Sequence, residues 1–90
     1  MVIKYFADVR QLTRCEQEQW TKAAPTVREL LAGLAAQHGA AFEKRLLDGG
    51  RLSRTIVVLV DGRNVEHVAG LETPLEPDAS VAIFPMVAGG

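Results

Sequence analysis

The hydrophobic positions of this chain change period several times, and each change marks an element. Residues 2–7, VIKYFA, are rich in β-branched and aromatic side chains, which predicts a strand. Alternation puts Ile3, Tyr5 and Ala7 on one face and Val2, Lys4 and Phe6 on the other. The charge on Lys4 marks the second face as the outer one. DVRQLTR reads as a connecting loop, and CEQEQW as a short second strand forming a hairpin with the first.

The period then becomes helical. Val27, Leu30, Leu31, Leu34, Ala35 and His38 fall along one side at helical spacing. Pro25-Thr26 followed by Glu29 is a Thr-x-x-Glu capping box, which satisfies two orphan amides at a helix start. Gly39 supplies the left-handed residue that commonly ends a helix. The pattern predicts an amphipathic helix over 27–38 with its leucine stripe on a sheet. AFEKRLL predicts a further helical turn before the Gly49-Gly50 break.

TIVVLV at 55–60 is a nearly continuous β-branched run, as in a central strand. Asp61-Gly62 is a turn signal. Residues 63–75, with Gly70 and Pro74, read as loop with a short strand or helical turn. Pro77-Asp78 starts another turn. SVAIF at 80–84 is the last strand, closed by Pro85, which cannot donate to a ladder. This order predicts an α+β fold: one mixed sheet of four to five strands with one main helix packed on one face. Pairing the last strand with the first would hold residues 1–84 as one body, with 85–90 as a projecting tail.

Face parity gives a further expectation. If Ile3, Tyr5, Ile56, Val58, Val60, Val81 and Ile83 face the helix, then Phe6, Val57, Leu59 and Phe84 face outward. An aromatic side chain covers roughly 150–250 Å², so this outer face would carry an apolar patch large for a monomer and suited to a partner.

Composition removes several classes of function. Ninety residues support a single core. Ten basic and eleven acidic residues give a net charge of −1, with no basic run, so nucleic acid and anionic membrane are not expected partners. Lys4 and Asp8 interrupt the first apolar residues, which argues against a signal peptide or a spanning helix. Cys15 is the single cysteine, so no internal disulfide forms, which suits a reducing cytoplasm. With His38 and His67 far from it, the spacing for zinc is missing and no metal is expected. Cys15 has no nearby basic pair and reads as inert. Glu16 and Glu18 read as solvated strand positions rather than an acid/base pair.

The candidate chemistry lies at the end, in AIFPMVAGG. Six residues beyond a strand reach about 20 Å at ~3.3 Å each, enough to enter a narrow pocket of another protein. Gly89 and Gly90, without side chains, pass a constriction that stops other residues. Pro85 limits freedom at the root and so lowers the cost of ordering the tail. A terminal carboxylate is ionised at neutral pH, with a reference pKa of roughly 3.5, and is a poor electrophile until a partner activates it.

Three stretches carry a resemblance: IKYFADVRQLT, the capped helix PTVRELLAGLAAQHG, and SVAIFPMVAGG. In order and length the chain resembles the MoaD/ThiS family of ubiquitin-like sulfur carriers, and within it the molybdopterin synthase small subunits. The resemblance implies a β-grasp fold and a co-substrate with no active site of its own. It implies that Gly90 is adenylated by an E1-like adenylyltransferase/sulfurtransferase using ATP and Mg, with no cofactor bound by the carrier. A persulfide sulfur would then convert Gly90 to a thiocarboxylate. Gly89, with Ala88 and Val87, would thread the tail into the enzymes, and Phe6, Leu59, Phe84 and Pro85 would meet the partners. The sulfur acceptor implied is a molybdopterin synthase large subunit or an equivalent synthase. Carriers for cysteine, thiamine or natural-product biosynthesis, and modifiers joined to lysines, are the alternatives. EPDAS stands where relatives carry a Gly-containing turn, a difference confined to loop geometry.

Overall fold

The structure is a computed structural model in which residues 1–86 are described. The chain runs β1 (Val2–Tyr5), α1 (Ala7–Thr13), β2 (Gln17–Gln19), α2 (Val27–His38), α3 (Ala40–Leu46), β3 (Leu47–Asp48), β4 (Arg51–Leu52), β5 (Ile56–Val60) and β6 (Arg63–Asn64). Two 3-10 turns, Val65–His67 and Gly70–Glu72, precede β7 (Ser80–Pro85). Five strands form one mixed sheet in the order β2-β1-β7-β5-β6, and β3-β4 is a separate small hairpin.

The last strand lies at the centre. β7 pairs parallel with β1, Ile3 opposite Val81 and Tyr5 opposite Ile83, and antiparallel with β5, Val58 opposite Ile83. Parallel neighbours need a long crossover between them, which here is nearly the whole chain. Parity falls as the alternation predicts: Ile3, Tyr5, Ile56, Val58, Val81 and Ile83 are buried, while Val60 is partly buried against the same core. The facing stripe of α2, Val27, Leu30, Leu31 and Leu34, is buried with them. Thr26 Oγ1 accepts from the Glu29 amide at 3.4 Å, the cap the sequence predicts. Gly39 ends α2 at φ 101°, but with ψ −177° it lies in a positive-φ region that essentially only glycine occupies rather than in the left-handed helical one, and it also begins α3.

Residues 8–14 are a correction. They do not form a loop: α1 takes up most of them and buries Val9 and Thr13. Ala7 at φ 52° turns the chain sharply out of β1, and Arg14 at φ 61° ends the helix two turns later. A helix of seven residues is too short to show a period, and packing against the sheet end, where Val9 is fully buried, stabilises it instead. The strand ending the chain's body also runs one residue past the predicted limit, because Pro85 takes its place opposite Ile56.

Trp20 joins β2 to α2. Its indole lies so close to Gly33 that a Cβ there would stand 2.4 Å from Cζ2. The ring fills the core at a point where the helix has no side chain.

Candidate functional site: the tail root and the outer sheet face

The root of the tail is held on both sides. Phe84 lies opposite Val57, Pro85 opposite Ile56, and the Met86 amide donates to Thr55 O at 2.8 Å. Arg45 ties this corner to α1, donating to Asp8 Oδ2 at 2.7 Å and to Thr55 Oγ1 at 2.9 Å. Met86 is 50% exposed. Val87, Ala88, Gly89 and Gly90, the predicted threading and acylation residues, lie outside the described residues.

Phe6 and Phe84 meet beside this root. Their rings stand 6.1 Å apart at 89°, an edge-to-face pair worth about 0.5–1.5 kcal/mol beyond area burial. The turn at Ala7 leaves Phe6 39% exposed. The Arg10 guanidinium sits 5.8 Å from its ring centroid, and the Arg10 Nε donates to Tyr5 O at 3.2 Å. Leu59 is half-buried on the same face, opposite Ala82. Pro85 is not part of this group: it has the parity of Ile83 and so lies on the helix side of the strand. The structure therefore brings together three of the four residues predicted to meet a partner, Phe6, Leu59 and Phe84.

Glu18 is a second correction. Its side chain is only 16% exposed, and three groups converge on it. Tyr5 OH donates to Oε2 at 2.6 Å, His38 Nε2 lies 2.6 Å from the same oxygen, and Gln37 Nε2 donates to Oε1 at 2.6 Å. Burial pushes the Glu18 carboxyl up, but the bonds from Tyr5, His38 and Gln37 outweigh it and hold the group below the usual carboxylate range. Burial, followed by the bond to Glu18, pushes the Tyr5 hydroxyl far above the ordinary phenol range. Glu18 lies opposite Ile3, on the inner face. A signal for this was present: counting by two from the buried Trp20 puts Glu18 inward. With Tyr5 fully buried, the cluster acts as a clamp between β1, β2 and the end of α2. Cys15 stands at its edge, Sγ 4.0 Å from Glu18 Oε2. Glu16 remains solvated, in an ion pair with Arg10 at 3.4 Å.

Among the described residues no three His, Cys, Asp or Glu side chains are grouped to hold a metal ion, and no helix is long and apolar enough to cross a membrane. What the arrangement offers is a firmly anchored strand that leads into the last residues beside an exposed apolar face.

The ThiS family model matches residues 3–90. The chain belongs to the ThiS family. It is 32% identical over 89 residues to small archaeal modifier protein 3 of Haloferax volcanii, covering 98% of this chain and 96% of that protein. A protein of Archaeoglobus fulgidus that carries the provisional name of sulfur carrier protein is 45% identical over 65 residues, 72% of this chain and 74% of that one. Among solved structures, a chain of the Amycolatopsis orientalis BexX/CysO complex superposes with a TM-score of 0.86 at 27% identity, covering 99% of this chain and 98% of that chain. The fold is thus the ubiquitin-like β-grasp, and this ThiS-family chain is a ubiquitin-like sulfur carrier of the MoaD/ThiS kind.

Proposed function

We propose that Gly90 is the point of sulfur loading and that the loaded chain delivers its sulfur to molybdopterin synthesis. In the first step a Gly90 carboxylate oxygen attacks the α-phosphorus of ATP, held with Mg by an E1-like adenylyltransferase, and pyrophosphate leaves. A persulfide sulfur of the activating system then attacks the acyl carbon and AMP leaves. A thiol reduces the acyl disulfide so formed, releasing the thiocarboxylate and a new disulfide on the activating side. The sulfur is then a nucleophile on an arm rather than free sulfide in solution. Val87, Ala88 and Gly89 would thread the catalytic sites, Phe6, Leu59 and Phe84 would dock the body, and Pro85 would set the angle at which the arm leaves. The acceptor is a molybdopterin synthase large subunit, and the setting is the cytoplasm.

The observation that carries this reading is the family match over residues 3–90, which includes the closing Val-Ala-Gly-Gly. Its test is intact mass after co-expression with the activating enzyme from the same organism. A chain ending at Gly90 should gain the mass of one sulfur in place of one oxygen, and a chain lacking Gly89 and Gly90 should gain nothing. An unchanged mass, with an enzyme shown competent on another carrier, refutes it.

The likeness to a small archaeal modifier protein over 98% of this chain favours a second reading, in which Gly90 is joined to lysines of other proteins. Branched Gly-Gly remnants on lysines in digests of the native cell would separate the two. Transfer of sulfur to a molybdopterin synthase large subunit, against a cysteine or thiamine synthase, assigns the pathway.

A further inference from the structure

The outer sheet face is apolar at its middle, over Ala82, Phe84, Val57 and Leu59, and polar towards its edges at Gln17 and Asn64. Register and parity align Gln17, Lys4, Ala82 and Leu59 in one row across β2, β1, β7 and β5, and Phe6, Phe84 and Val57 in the next. Lys4 is exposed, and of the residues in these two rows it alone carries a formal charge. Its cross-strand neighbours are Gln17 on the polar edge strand and Ala82 on β7, with Leu59 one strand beyond Ala82 and the Phe6–Phe84 pair in the next row. The acids near it in sequence are engaged elsewhere: Asp8 accepts from Arg45, Glu16 pairs with Arg10, and Glu18 is turned inward to Tyr5, His38 and Gln37. Lys4 makes no ion pair with any described residue.

We propose that Lys4 is a specificity determinant of this face, and that the activating enzyme meets it with a carboxylate set in an otherwise apolar surface. This rests on the docking assigned above to Phe6, Leu59 and Phe84. A flat apolar partner laid on these rows strips water from the ammonium, and only an opposing carboxylate offsets that loss. A partner with an apolar or basic group at the same point is rejected, although it fits the apolar residues equally well. The apolar pairings supply affinity, and the Lys4 ammonium, apart from Arg10 at the Phe6 end of the face, sets register and selects the partner.

The test is binding of the purified chain to the activating enzyme of the same organism at low and high salt. Lys4→Glu should weaken binding about tenfold or more, with the larger part in the association rate at low salt. Lys4→Met, which keeps the stem, should bind with a flatter salt dependence. Exchanging the facing carboxylate of the enzyme for lysine should restore Lys4→Glu. Wild-type affinity in Lys4→Glu, or an unchanged salt dependence in Lys4→Met, overturns the proposal. If Phe84→Ala weakens binding while Lys4→Glu does not, the docking face stands and the charge has no part in it. If neither weakens binding, the docking face itself falls, whereas sulfur loading of Gly90 is judged separately by mass.

Discussion

Glu18 looks like one more polar residue in a polar strand, and its surroundings reverse that reading. Three donors satisfy it, so removing its charge leaves Tyr5, His38 and Gln37 with a weaker acceptor inside the fold. Glu18→Gln should cost about 1–3 kcal/mol at pH 7, measured by urea unfolding. The folded carboxyl lies below its unfolded value, so its contribution is fully present above the unfolded pKa of about 4.3 and disappears as pH falls through the folded value. The gap between wild type and variant should close in acid; a gap that persists there refutes the clamp. Gly33 makes the same point by sterics. In a helix interior Gly→Ala normally gains about 1 kcal/mol, but here the new methyl would stand 2.4 Å from Trp20 Cζ2 and 2.8 Å from Cη2. Gly33→Ala should therefore lose about 1–3 kcal/mol and lower Tm. A raised Tm would mean that the indole moves aside freely.

At the scale of elements, those with strong local signals are where the sequence puts them. α2 has its cap and its leucine stripe, and β5 its β-branched run. The Asp61-Gly62 turn joins β5 to β6 with both central residues at positive φ, 50° and 85°. That geometry is a two-residue hairpin turn whose twist matches the strands. Gly62→Ala should cost about 1–2 kcal/mol, because a side chain there meets its own backbone. Equal thermal midpoints for variant and wild type would show that the turn relaxes. α1 was not legible for a physical reason. Its seven residues are held by Val9 under the sheet end and by the reversal at Ala7, contacts that no local pattern encodes. The inward side of Glu18 was legible only once Trp20 was known to be buried.

Across the whole molecule, the central place of β7 matters most. Bonded to β1 on one side and β5 on the other, it leads to Met86 with little freedom up to that point. The Phe6–Phe84 pair lies beside that exit, so a partner seated on it is also placed to take the residues that follow. Phe84→Ala should lower affinity for the activating enzyme about tenfold or more and shift the urea midpoint far less, since Phe84 is half-buried rather than core. Unchanged affinity would remove this face from the docking surface.

By itself the sequence determined the inner and outer faces of β1, β5 and β7, the capped helix, the Asp61-Gly62 turn and the closing Val-Ala-Gly-Gly, because each is written in neighbours a few residues apart. Only the tertiary structure decided that β7 takes the middle of the sheet, that Glu18 turns inward to Tyr5 and His38, and that Phe6 meets Phe84. Those contacts join residues up to 78 positions apart, and whether such groups meet depends on strand order and burial, which no local period records.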